Sequence, residues 1–349
     1  MRRVRALKAY GPGDFRLETF DQAGPGPEEA LLRVVGAGIC AADRRVYEGT
    51  APWPLRYPFV PGHEITGIIE EIGEEFGSRG LSPGDAAVVE PIVSCNRCRF
   101  CRDGRYHLCS NPRFFGFHIA GGFSDYLVLP RGARIHRLPR NEDPLPAVLA
   151  EPLACALHCL DKARVDSKEA VVVAGVGSIS RMMLTLLAAR RPRLLIALSR
   201  HQEGLALARK LGVDSALDAG SRDIVERILE STGGFGPDVF IEASGDPEYL
   251  TLGLRSLCKG GRLVLFGVYT RSVDLDANLV ADFKELTIQG VHLGPNAFPS
   301  AIRLIYDRVV DFHREVVCTY PLSRAVEAFS ARDRVGTPGK IVITPQDEP

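Results

Sequence analysis

Cys95, Cys98, Cys101 and Cys109 stand in the pattern C-x2-C-x2-C-x7-C, inside one loop rich in Arg and Asn. Zinc takes four soft ligands at tetrahedral corners, and a tight run of thiolates supplies them with little chain to order. Four protein ligands leave no open position, so a metal held here is structural rather than catalytic. Iron–sulfur clusters use a similar C-x2-C-x2-C run with Pro after the last cysteine. Here Ser110 follows Cys109 and there is no second cysteine-rich run, which favours zinc. His107 lies beside the loop, but four thiols already complete the set.

Two further groups of residues could do chemistry. Cys40 and the pair His63-Glu64 each sit among glycines, in Gly38-Ile39-Cys40 and Pro61-Gly62-His63-Glu64. Their types suit a metal, yet taken alone they are as easily three unrelated residues. The apolar run Ala170–Ala174 leads into Gly175-Val176-Gly177-Ser178-Ile179-Ser180, and an apolar helix over Met182–Ala189 follows. Strand, glycine turn and helix together are the context in which a dinucleotide binds. Gly175 and Gly177 let backbone approach a pyrophosphate, and the helix N-terminus offers its free N–H groups. Ser180 replaces the last glycine of G-x-G-x-x-G and is small enough to keep helix and strand close. The next strand, Leu194–Leu198, ends in Ser199-Arg200-His201.

The four-cysteine loop and its surroundings resemble the zinc-dependent medium-chain dehydrogenase/reductase family, the alcohol and polyol dehydrogenases. The likeness runs over essentially the whole chain and includes Leu81–Val89 and the segment Gly116 to Tyr126. It implies a GroES-like β-barrel catalytic domain and a Rossmann cofactor domain with a doubly wound parallel sheet. It also makes Cys40, His63 and Glu151 ligands of a catalytic zinc, with Glu64 a ligand or close partner. Glu151, in Ala150-Glu151-Pro152, replaces the Cys of simple alcohol dehydrogenases and resembles the sorbitol and threonine dehydrogenase branch. A harder oxygen ligand leaves the metal more Lewis-acidic. NAD-dependent members carry Asp or Glu where Ser199 stands. A missing carboxylate with a guanidinium next to it suits a ribose 2′-phosphate, so NADP is expected over NAD. Ala243, Ser244, Gly267 and Val268 fall at carboxyl ends of strands, where backbone contacts to the nicotinamide half are implied.

The expected reaction is hydride transfer between NAD(P) and a secondary alcohol or ketone of a polyol, cyclitol or amino-cyclitol. The alternatives are an NAD-linked threonine-type amino alcohol dehydrogenase, a carbonyl reductase, or a zinc- and cofactor-binding protein with little activity. The last arises because two family positions are altered. Where the family has C-G-[ST]-D this chain has Ala42 before Asp43, and a relay His is replaced by Arg45. Ala carries no exchangeable proton and Arg stays charged, so proton exit must use Glu64, water or His118. Phe115, Phe117 and His118 suit either a substrate cleft or barrel core.

The elements that would position these residues follow from the pattern. Up to Val35, alternating runs broken by Gly11-Pro12-Gly13 and Gly24-Pro25-Gly26-Pro27 read as antiparallel strands and turns. From Glu151 a helix begins, and strands at Asp238–Gly245, Arg262–Val268 and Leu286–Val291 alternate with helices, one of them over Pro247–Cys258, the grammar of a parallel sheet. The expected domains are 1–155 with 296–349, carrying the zinc lobe at about 91–112, and 156–295 for the cofactor. The 349 residues carry 43 basic and 43 acidic side chains, which leaves no electrostatic footprint for nucleic acid or anionic membrane. Met1-Arg2-Arg3-Val4-Arg5 has no apolar stretch behind it and does not read as a signal peptide. Cysteines that fit zinc ligation or core filling point to the reducing cytoplasm. A homodimer or homotetramer is implied by the resemblance.

Overall fold

The computed structural model describes residues 1–76, 80–335 and 339–345. Residues 336–338 and 346–349 of the expected catalytic domain, and 77–79 within it, lie outside that description. The chain divides into two compact units: Met1–Ala154 with Pro295–Val335 and the last strand, and Cys155–Gly294.

The first unit is mostly antiparallel. Strands Arg2–Gly11 and Asp14–Gln22 form a hairpin closed by Gly13 in the left-handed region, φ 70°, which only glycine adopts freely. The larger sheet runs Val316–Pro321, Lys340–Thr344, Ala30–Ile39, Glu64–Ile72, Ala86–Val89, Ile135–Arg137, and Tyr126–Leu129 also pairs with Ala30–Ile39. Its centre is Ala30–Ile39, flanked by Lys340–Thr344 on one side and Glu64–Ile72 on the other, both antiparallel to it. Alternating side chains of these strands build an apolar interior around Leu32, Ile65, Phe115, Leu127 and Leu129, all fully or almost fully buried. Burying each such side chain contributes about 1.5–3 kcal/mol. Register then brings three distant pieces of chain together. Ile341 pairs with Ile39 and Gly38 with Glu64, so Lys340, Cys40 and Glu64 meet at one end of the sheet.

The second unit carries six parallel strands in the order Ser215–Asp218, Leu194–Ser199, Ala170–Ala174, Val239–Glu242, Arg262–Leu265, Thr287–Gly290. Order reverses beside Ala170–Ala174, where a doubly wound sheet opens its ligand crevice. Ala170–Ala174 is buried throughout, the continuous apolar run of a strand covered on both faces. The short strand Ser215–Asp218 is too polar to stand out by periodicity. Helix Pro247–Ser256 stops before Cys258 because Leu257 turns to an extended ψ of 143°. No helix among the described residues is long and apolar enough to cross a membrane.

Candidate metal and cofactor sites

The four loop cysteines converge, with their sulfurs all within 4.8 Å of one another. Cys98 and Cys101 sulfurs stand 3.4 Å apart, Cys95 and Cys101 3.9 Å, Cys98 and Cys109 4.0 Å. Asn96, at φ 56°, makes the left-handed turn that folds the first thiol back, a conformation Asn tolerates well. Backbone N–H groups of Cys95 and Asn111 donate to the Cys109 sulfur at 3.3 and 3.4 Å. N–H donation from Ser110 and Cys101 pulls the Cys98 thiol down to about 5, while burial pushes Cys101 up to about 12. Amide donors aimed at sulfur stabilise thiolate, the form that binds a metal. His107 is not part of this convergent group.

Cys40, His63 and Glu64 form a second convergent group. Cys40 is the cap of helix Ala41–Glu48, and His63 and Glu64 open the strand Glu64–Ile72. Asp43, fully buried in the first turn of that helix, ties the two together. Its carboxylate accepts the N–H of Cys40 at 2.9 Å and that of Gly62 at 3.3 Å. One of its oxygens also lies 3.5 Å from His63 Nδ1, an ionic contact. Burial works against a charged His63, yet Asp43 and Cys40 together hold its pKa well above the ordinary histidine value. Glu64 is fully buried and accepts from Lys340 Nζ at 2.6 Å, while its Oε2 has no hydrogen-bond partner. Lys340 also donates to the Ile39 carbonyl at 3.4 Å; burial disfavours its charge, and Glu64 and Cys40 more than restore it. Gly38 is required here, because a Cβ would stand 2.0 Å from Glu64 Oε2.

Glu151 stands outside this triad, buried in the first turn of helix Ala150–Ala163, with its charge felt by Lys340. Thiol, imidazole and carboxylate are the donors of a catalytic zinc site that keeps a position open. The orphaned Glu64 oxygen and the demand for positive charge at His63 both fit a cation there. Phe115 is fully buried core. Phe117 instead packs 5.4 Å from the His63 ring, with Trp53 at 5.8 Å and Phe59 at 6.4 Å, an aromatic wall beside the triad. His118 is exposed and its Nδ1 accepts the Phe114 N–H at 3.3 Å, so it is already engaged away from the triad.

In the second unit, Gly175 adopts φ 98°, and a Cβ there would press on Ser244 at 3.3 Å. Gly177 caps helix Ser178–Arg190, and Ser180 Oγ accepts the Gly177 N–H at 2.9 Å. Val176 is buried against the sheet, while the side-chain oxygen of Ser178 is buried without a hydrogen-bond partner. Ile179 occupies the first turn of that helix. Ser199 turns inward, its Oγ accepting the His201 N–H at 3.1 Å. Arg200 pairs with Asp246 and Glu248. Glu242, fully buried at the end of Val239–Glu242, organises the nearby loops. It accepts from the Ser244 N–H at 2.7 Å, Ser244 Oγ at 2.5 Å, the Gly245 N–H at 3.0 Å and Tyr269 Oη at 2.7 Å. These bonds shape the turns carrying Ala243, Ser244, Gly267 and Val268, and burial and Glu242 raise the Tyr269 hydroxyl pKa. A glycine turn at a helix N-terminus above parallel strands fits a dinucleotide.

Asp43 and Lys340 do not stand out in the sequence as site residues. Asp43 carries a signal in its position three residues after Cys40, the spacing at which a side chain reaches back to a cap N–H. Lys340 lies 276 residues from Glu64 and carries none.

Comparison with known proteins identifies the family. The alcohol dehydrogenase GroES-like domain matches residues 26–140, and the zinc-binding dehydrogenase domain matches 175–307. Erythritol/L-threitol dehydrogenase of Mycolicibacterium smegmatis is 36% identical over 329 residues, covering 91% of this chain and 90% of that protein. A zinc-binding dehydrogenase of Sinorhizobium meliloti, solved with NADP, superposes with TM-score 0.87 at 28% identity, covering 99% of this chain and 100% of the other. An alcohol dehydrogenase of Escherichia coli CFT073, solved with NADH, gives TM-score 0.89 at 26% identity, covering 98% and 99%. The chain belongs to the zinc-dependent medium-chain dehydrogenase/reductase family, and within it to the alcohol and polyol dehydrogenases.

Two outcomes follow. Cys98→Ser opens the four-thiol set, so zinc per chain should fall by one and thermal stability should drop; unchanged zinc and melting would refute the structural role. Asp43→Asn keeps size but loses the charge facing His63. Affinity of the Cys40 site for zinc should fall by roughly 10–100-fold in a chelator competition, with the four-cysteine site unaffected.

Proposed function

We propose that this chain oxidises a secondary hydroxyl of a polar polyol, or reduces the matching ketone, with NADP favoured over NAD. The observation that carries the reading is the Cys40, His63 and Glu64 group, held by Asp43 on one side and Lys340 on the other. In this proposal Cys40, His63 and Glu151 hold the catalytic zinc, with Glu64 a ligand or close partner, and Cys95, Cys98, Cys101 and Cys109 hold the structural one. A bound zinc supplies Lewis acidity to a hydroxyl or carbonyl, and the nicotinamide gives or takes the hydride. Asp43 orients the imidazole and supports its basicity. Lys340 balances the charge of Glu64, and the substrate proton leaves through Glu64 or water, since Ala42 has no hydroxyl and His118 is engaged elsewhere. The aromatic wall of Phe117, Trp53 and Phe59 offers apolar surface to the C–H faces of a sugar alcohol.

A short acyclic polyol draws support from the erythritol/L-threitol dehydrogenase relative; cyclitols and amino-cyclitols are further members of the same polar class. Gly175, Val176, Gly177, Ser178 and Ile179 would hold the pyrophosphate. Ser199 and Arg200 would lie at the adenosine ribose, and Ala243, Ser244, Gly267 and Val268 at the nicotinamide half. Nine cysteines, none in a disulfide, suit a cytoplasmic setting. The half-exposed edge strand Thr287–Gly290 suits a homodimer or homotetramer.

A polyol panel read by nicotinamide absorbance tests the activity. Turnover should appear with secondary-hydroxyl polyols and vanish on chelation, while NADPH binding persists; turnover that survives complete zinc removal would sink the reading. Arg200→Ala should weaken NADPH by at least about tenfold, the worth of a charged hydrogen-bonded pair, and leave NADH nearly unchanged.

A further inference from the structure

Arg200 is less free than its place at a strand end suggests. One arm of its guanidinium pairs with Asp246, the other lies 3.4 Å from Glu248 Oε2, and its carbon sits 5.2 Å from the centroid of the Tyr249 ring. All three partners come from the start of a single helix, Pro247–Ser256, and its cap. Asp246 is itself held rigidly. It accepts the Glu248 N–H at 2.9 Å as helix cap, and its own N–H donates to Ser244 Oγ at 3.0 Å, which in turn donates to buried Glu242. A line of hydrogen bonds thus runs from the sheet end to the guanidinium.

We propose that Asp246 and Glu248 form an acidic latch on Arg200 that competes with a ribose 2′-phosphate and so sets how strongly the site prefers NADP over NAD. The proposal rests on the reading of Arg200 as the phosphate partner. A guanidinium stays charged and presents its donors in a fixed fork, so donors committed to two carboxylates must be shared or released before a phosphate can take them. A 2′-phosphate also brings between one and two negative charges towards Asp246 and Glu248, and like charges repel. A 2′-hydroxyl carries no charge and leaves the latch closed. The same three side chains therefore penalise NADP through the acids and reward it through the Arg, and the selectivity is their difference. Arg200 remains 40% exposed, so solvent screens each term and the balance can be shifted by one charge.

Asp246→Asn tests this directly, because Asn caps a helix as well as Asp does and removes only the charge. Full-length protein is titrated with NADPH and NADH, following nicotinamide fluorescence. Asp246→Asn should tighten NADPH roughly three- to fivefold, the range of one partly exposed ion pair, and move NADH by less than about twofold. Glu248→Gln, on a far more exposed chain, should act in the same direction and less. In an Arg200→Ala background the gain from Asp246→Asn should vanish, since the coupling passes through the guanidinium. Equal tightening of both cofactors, weaker NADPH binding, or a gain that persists without Arg200 would overturn the latch. Arg200→Ala alone separates the two ideas. Equal loss of NADPH and NADH would remove the phosphate reading itself; selective loss of NADPH with a silent Asp246→Asn would remove only the latch.

Discussion

The first unit is arranged around a charge that cannot be left unbalanced. Asp43 and Glu64 are fully buried, Glu151 nearly so, and the thiol of Cys40 stands among them. Lys340 stands beside Glu64 and His63 beside Asp43, all of them buried. Isolated buried charges cost several kcal/mol each, and removing one partner of a buried pair costs about 3–5 kcal/mol. Lys340 offsets Glu64 directly. Against its burial, Asp43 and Cys40 favour the protonated form of His63, and a divalent cation would answer the same demand without a proton. In the proposed metal site, affinity and fold stability would therefore be coupled through one pocket, to which the strand that delivers Lys340 belongs.

The second unit shapes its glycine turn and the loops at its strand ends with hydrogen bonds. Ser180 occupies the position of a family glycine and uses its hydroxyl to hold the Gly177 N–H, tightening the turn that precedes the helix. That amide is then committed internally, which leaves the N–H groups beyond it, from Ser178 onward, as the free donors of the helix end. Glu242 has the matching role on the neighbouring strand, where four donors converge on its carboxylate and shape two loops at once. Both devices fix backbone by side chains that never need to touch a ligand.

What is legible in the sequence is what lies close along it. The four cysteines fall within a single loop, so their spacing alone carries the geometry, and strand, turn and helix are adjacent at Gly175. Several parallel strands announce themselves as apolar runs, whereas Ser215–Asp218 is placed by its pairing with Leu194–Ser199 despite its polarity. Cys40, His63 and Glu64 are ambiguous as residues because the strand register that gathers them is set by the whole sheet. Lys340 is illegible for the same reason. Phe115, Phe117 and His118 are near neighbours with three different fates, because a turn at Gly116, φ 79°, redirects the chain between them. Arg200 is conspicuous for its charge, but its partners arrive from a helix more than forty residues later.

That last case shows where fold ceases to decide chemistry. Two structures of closely similar fold, at TM-scores of 0.87 and 0.89 to this one, hold NADP and NADH respectively. The two cofactors share the pyrophosphate and the nicotinamide, and a glycine turn at a sheet crevice suits the pyrophosphate of either. The cofactors differ by one phosphate on one ribose, and in the proposed binding mode side chains at the end of the second strand meet it. There a charge acts through the partners it keeps. A guanidinium facing water, a guanidinium facing two carboxylates and a lone carboxylate present three different fields to the same ribose, on the same backbone. In the proposed latch, selectivity would depend on the ion pairs that Arg200 already makes with the start of one helix.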